Sequence, residues 1–160
     1  MTAAGPPEAQ FELPPYRHLP GVNARHDQAL FDAVKRATPP VTRSAEASRN
    51  PAWRHGLALL AGGYYWECHE VLEGVWRNAP PNSQERIVTQ AVIQIANGAL
   101  KQELGRERAA GRLADIALSL LADLSDQATI MGLRPGDLAG AAAAVRDGMH
   151  HTLMSKHYIA

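Results

Sequence analysis

The stretch Gly63-Tyr-Tyr-Trp-Glu-Cys-His-Glu-Val-Leu-Glu-Gly-Val-Trp76 holds the residues of this chain whose types and spacing could do chemistry. Wound as a helix at about 100° per residue, it puts Tyr65, Cys68, Leu72, Val75 and Trp76 on one broad apolar side. His69, Glu73 and Glu70 follow around the neighbouring arc. His69 and Glu73 are four residues apart and can meet on one face. A histidine and a carboxylate so placed can chelate one metal ion, and Glu70 beside them could serve as base for a bound water. This approaches the His-Glu-x-x-His zinc helix, with Glu73 where the second histidine would stand. Glu67 and Glu70, three apart, make a second pair of neighbours. The local sequence supplies no third ligand. His26, His55, His150, His151 and His157 are available elsewhere. The competing reading is structural. Glu and His on an amphipathic helix are usually solvated, or form i,i+4 pairs of a few tenths of a kcal/mol. On that reading Trp66 and Trp76 pack into the core, and Cys68 is a small inert thiol on the apolar side.

A second element bears on the choice. Ile87, Val88, Ala91, Val92, Ile93, Ile95, Ala96, Ala99 and Leu100 cover most of a helical circumference, the mark of a buried central helix. Gln90, Gln94, Asn97 and Lys101 nevertheless form a narrow polar stripe along it. Buried amides are costly unless hydrogen-bonded. The stripe is therefore expected to face His69, Glu70 and Glu73, with Gln94 buried and bonded to the motif helix. Such a cluster could be a structural network or a site.

Punctuation by Pro and Gly sets the elements that would position these residues. Pro6, Pro7, Pro14, Pro15 and Pro20 exclude a helix from the first twenty-odd residues, leaving an extended arm over 1–23. Phe11, Leu13, Tyr16 and Leu19 give its later part reason to lie on the body. Leu30, Phe31, Val34 and Ala37 predict a helix over about 24–37, ended by Pro39-Pro40. Residues 41–50 read as a loop. Asn50-Pro51 starts a helix that stops at Gly62-Gly63. The motif helix follows over 64–78 and Pro80-Pro81 closes it. Asn82 with Glu85 predicts a capping box for a helix over 83–104, with Gly105 beyond its end. Leu113, Ile116, Ala117, Leu120, Leu121 and Leu124 predict another over 112–131. A last, alanine-rich helix starts near Asp137 and fades after Gly148. No strand-like alternation of useful length appears. The expectation is all-α: one compact domain of five to six helices over 24–150, and a tail over 151–160.

Composition bounds the class. The chain has 160 residues, the length of one domain, with 46% hydrophobic and 20% charged residues, which argues against general disorder. Sixteen basic side chains cancel sixteen acidic ones, so nothing supplies the basic surplus a nucleic-acid binder needs, nor a charged face for a membrane. No run of about 18 apolar residues occurs, and the N-terminus has neither a basic start nor an apolar signal core. The single Cys68 cannot form an internal disulfide, which points to a reducing, cytoplasmic setting.

The pattern Gly63-x-Tyr65-x-Glu67-x-His69-Glu70-x-Leu72-Glu73-x-x-Trp76, followed by Gln90-x-x-Ile93-Gln94-x-Ala96, resembles the DUF309 family. These are small all-helical bacterial and archaeal proteins of unknown function, some labelled metal-dependent hydrolases on the strength of the His/Glu motif. The likeness covers about residues 54–124, under half the chain. Upstream, Tyr16-x-x-Leu19-Pro20-Gly21 and His26 are similar to the family's proline-rich entry segment. Where some members have Pro-His-Pro, this chain has Arg25-His26-Asp27. Cys68 stands where the family often has alanine, and Trp66 where an aromatic is common.

Two functions fit these residues. In a metal-dependent hydrolase, His69 and Glu73 would hold a divalent ion such as zinc, with His26 as third ligand brought by the arm. Glu70 would be the general base, Glu67 would lie at the site's margin, and Gln90, Gln94 and Trp76 would orient or wall the bound group. In a non-enzymatic helical module the same cluster would be structural or would bind a ligand. A small molecule, a protein or a second copy of the chain all remain open as its partner.

Overall fold

A computed structural model describes residues 11–154 of the chain. Among them are six α-helices: α1 (Asp32–Ala37), α2 (Pro51–Ala61), α3 (Tyr65–Arg77), α4 (Gln84–Glu103), α5 (Glu107–Leu121) and α6 (Pro135–Arg146). Short 3-10 turns occupy Gln28–Phe31, Ser44–Arg49 and His150–Met154. No strand occurs among the described residues, and one isolated bridge joins Ile130 to Leu133. The fold is all-α. No described helix is long and apolar enough to cross a membrane.

Helix α4 is the axis of the packing. It touches α3, α5 and α6, while α2 lies on α3 and α5 on α6. Its buried positions, Val88 to Leu100, run nearly all round it, as its composition requires. Asn50 starts α2 by accepting the amide of Trp53 on Oδ1 at 3.0 Å, with Pro51 at the first helical position. The end of α4 has the two bonds of a Schellman cap. Gly105 N reaches Gln102 O at 3.0 Å and Arg106 N reaches Lys101 O at 2.8 Å, with Gly105 at φ 71°.

The structure departs from the sequence expectations at three element ends. Residues 24–27 are not helical: Asp27 instead caps the 3-10 turn by accepting the amide of Ala29 at 3.0 Å. Residue 82 is not the cap of α4. Asn82 takes a left-handed turn at φ 61°, Ser83 accepts the amide of Arg86 at 3.1 Å, and Glu85 turns away to accept the amide of Ser44 at 3.2 Å. Helix α5 begins at Glu107 and ends at Leu121, ten residues short of the expected 131. Beyond it the chain makes turns rich in Asp and Ser, then a tight turn closed by mutual bonds between Ile130 and Leu133 at 2.9 and 3.0 Å. That turn drives Ile130, Met131 and Leu133 into the core. Trp53 Nε1 donates to Met131 O at 3.0 Å, and Met131 N donates to Ser44 Oγ at 2.8 Å. These distant partners outweigh the local helical period.

Close approach of α2 to α3 needs a glycine. A Cβ built on Gly56 would lie 2.2 Å from Cδ2 and 2.5 Å from Cγ of Leu72, itself fully buried. Gly111 on α5, by contrast, faces open space. Gly56→Ala should therefore lower the urea midpoint. Overpacking of about 1–3 kcal/mol opposes a helix-propensity gain of about 1 kcal/mol. Gly111→Ala should raise the midpoint, because only the propensity gain applies.

Candidate functional site

The constellation is built on α3, but the structure divides it between two faces. Glu67 lies in the first turn of α3 and is fully buried. Its Oε1 accepts two bonds from the N-terminal arm: the backbone amide of His18 at 2.6 Å and His26 Nε2 at 2.8 Å. Both histidines are themselves buried. Glu67 Oε2 is buried without a hydrogen-bond partner among the described residues. Two charge-assisted bonds on one oxygen compensate part of the cost of taking a carboxylate out of water. The bare second oxygen leaves about 1–3 kcal/mol of desolvation unrecovered.

Aromatic rings close over this contact. Tyr16 lies against His26 with centroids 4.4 Å apart, and His18 meets Trp66 edge-on at 4.7 Å. The Arg25 guanidinium sits 5.2 Å from the centre of the Trp66 ring. Phe31 backs Trp66 at 6.0 Å. The return of His26 to the motif helix was expected from the apolar character of the arm. Its partner is Glu67, not His69. The role of His18 was not foreseen, because a main-chain amide has no signature in residue type.

His69 lies about 200° around α3 from Glu67. It is half-buried, and its ring makes no hydrogen bond to another described residue. Glu70 and Glu73 line an open groove of ≈ 270 Å³ between α1 and α3, with Lys35, Thr38, Val71, Gly74, Arg77 and Asn78. Glu73 Oε1 there accepts a bond from Arg77 at 3.1 Å, an exposed i,i+4 pair. Trp76 is half-buried under the Arg86 guanidinium, 4.2 Å from its ring centre, and its indole N–H is buried without a partner among the described residues. Gln90 and Gln94 are half-buried and make no side-chain hydrogen bond among the described residues. The expected bonds from this amide stripe to α3 are absent, since half-exposed amides can be served by solvent.

Among the described residues no three or more His, Cys, Asp or Glu side chains are grouped to hold a metal ion. His26 gives its Nε2 to Glu67. His55 stacks on Phe11 at 5.4 Å, and His150 Nε2 lies 3.9 Å from Glu103. His157 lies outside the described residues. Cys68 is fully buried, and burial together with the nearby Glu67 charge pushes its thiol well up, away from the thiolate form.

A second polar cluster, missed in the sequence, joins four elements. Arg17 of the arm pairs with Glu103 of α4, and its guanidinium lies 5.7 Å from the Tyr65 ring centre. Tyr65 Oη reaches the carbonyl of His150 at 3.5 Å. Burial, then the Glu103 charge, push the Tyr65 hydroxyl up to about 12, against the opposing effect of Arg17. Burial holds the His150 ring below its ordinary value, with Glu103 opposing and His151 and Arg17 reinforcing.

Residues 53–113 match the model of a family described as a domain of unknown function, DUF309. Over that segment the chain is similar to the DUF309 family. The match runs from α2 through α3 and α4 into α5, so the DUF309 segment contains Glu67, His69, Glu70, Glu73, Gln90 and Gln94. The arm that delivers His18 and His26 lies outside the DUF309 match, as does α6. No curated protein and no solved structure matches the chain.

Two outcomes follow from this geometry. Burial also lowers His55, so His55 and His150 bind a proton more weakly folded than unfolded. Their contribution to stability is complete above the unfolded value of 6.5 and is lost as pH falls below it. Tyr65 has the opposite sense: its contribution is complete below 10.0 and is lost as pH rises toward about 12. Urea midpoints should fall from about pH 7.5 to pH 5.5, and His150→Asn should flatten that slope. Gln94→Leu, which strands no partner, should change stability by no more than about 1 kcal/mol in the same assay.

Proposed function

We propose that the chain is a non-enzymatic helical module that docks a polypeptide partner of mixed charge in the groove between α1 and α3. The observation that carries this reading is the burial of Glu67 against His26 and the His18 amide. It commits one carboxylate and one histidine of the constellation to holding the arm. What remains open to a partner is the rim made by Glu70, Glu73, Lys35 and Arg77. Both signs of charge stand there within one groove, matching a partner segment that carries both. At ≈ 270 Å³ and open to solvent, the groove is smaller than the usual enclosed small-molecule pocket and suits inserted side chains. The single, buried Cys68 is consistent with a cytoplasmic setting for such a module.

One observation favours a second reading, a metal-dependent hydrolase. The His69 ring has no hydrogen-bond partner among the described residues and stands four residues from Glu73. On that reading His69 and Glu73 hold a divalent ion, Glu70 is the base, and His26 reaches the ion only by leaving Glu67. Zinc titration of protein purified without a histidine tag separates the two, with His69→Ala as control. The module reading expects no stoichiometric zinc uptake that His69→Ala abolishes. It also expects no turnover of p-nitrophenyl acetate or phosphate that Glu70→Gln removes. One zinc per chain lost in His69→Ala, with turnover lost in Glu70→Gln, would establish the hydrolase instead.

A further inference from the structure

The segment from Tyr16 to His26 is organised mainly by its own hydrogen bonds. Tyr16 Oη donates to Ala24 O at 2.7 Å, Asn23 Nδ2 to Arg17 O at 2.8 Å, and Leu19 N to Asn23 Oδ1 at 2.9 Å. His18 Nδ1 lies 3.1 Å from Asn23 Oδ1, and Val22 N donates to Leu19 O at 2.9 Å. The two ends meet where the Tyr16 and His26 rings stack at 4.4 Å. Gly21, at φ 81°, makes the bend at the apex, and residues 21–25 are exposed. This is the form of an Ω-loop: ends together, interior bonded to itself.

Its hydrogen bonding to α3, by comparison, rests on one point. Both of its hydrogen bonds to α3 fall on one atom, Glu67 Oε1. Around that atom the loop is held by side-chain contacts: the Arg17–Glu103 pair, the Arg17 cation near Tyr65, His18 and His26 on Trp66, the Arg25 cation over Trp66, and Leu19 against the core. Docking also leaves Glu67 Oε2 buried and, among the described residues, unpartnered, a cost that opening would relieve. Breaking the attachment therefore leaves the internal bonds of the loop intact and restores solvent to a buried carboxylate.

We propose that residues 16–26 are a lid, a pre-folded loop that closes over Glu67 and opens as one unit. Opening bares Trp66 and Glu67, with Glu67 one helical turn from Glu70 at the groove between α1 and α3. The covered carboxylate then becomes an acceptor for a cationic group. The lid stands whether or not the groove takes a partner.

Hydrogen–deuterium exchange on the full chain tests it, in the wild type and in His26→Ala. The amides of residues 17–26 are expected to exchange as a group, ahead of the core of α4, because local opening precedes global unfolding. His26→Ala is expected to speed that group by roughly tenfold, the factor for losing one bond to a charged acceptor, with α4 unchanged. Loop amides that exchange only with α4 would make the loop a fixed part of the core and overturn the lid. Fast loop amides indifferent to His26→Ala would overturn the hold exerted by Glu67. Should His26→Ala fail to fold, the order of exchange in the wild type still decides.

Discussion

A single buried carboxylate organises the side of this fold on which its chemistry-bearing residues lie. Glu67 is sealed from solvent on α3, and a carboxylate in that position must be met by donors. The arm supplies them, one from its backbone at His18 and one from the ring of His26. Much else follows from that demand. Residues 24–27 forgo the helix their composition favours, because His26 is held against α3. Trp66 becomes a platform for His18, Arg25 and Phe31. The arm, rich in proline and short of local structure, acquires a fixed path across the helices.

The helical core obeys a different constraint. Helix α4 is apolar nearly all round, so it must be enclosed, and α3, α5 and α6 enclose it. Small residues let the helices approach: Gly56 beneath Leu72, and Gly98 against Val145, where a Cβ would lie 2.8 Å from Cγ1. Shape sets the spacing here, with Gln102 Nε2 donating to Val145 O at 2.8 Å as a polar tie between α4 and α6. The amide stripe of Gln90 and Gln94 lies at the border of this core and leaves its groups to solvent.

These two constraints explain why a motif compact in sequence is split in space. Glu67 and His69 are two residues apart, which on a helix means nearly opposite directions. One is drawn into the contact with the arm and the other faces the edge of α3. Glu70 and Glu73 fall between, at a groove shared with Lys35 and Arg77. Ionisable residues packed closely along a helix therefore serve two ends, holding the arm and presenting a charged rim.

Local chemistry was enough to place most of the helices. Proline at the first turn of α2, glycines after α2 and α4, and the 3.6-residue period of α3 and α4 are short-range signals, and the bounds of these helices follow them. It was also enough to place the candidate residues on α3 and to bring the arm back to the body. Long-range packing decided the rest. The end of α5 at Leu121 depends on Trp53 and Ser44 capturing Met131, partners 78 and 87 residues away in sequence. That Glu67 is the buried acceptor, while His69 stays half-exposed, depends on where the arm crosses α3. Residue spacing states which side chains share a face of one helix. It carries no record of which face a distant segment will cover, and burial is what turns a carboxylate into the point on which that segment is held.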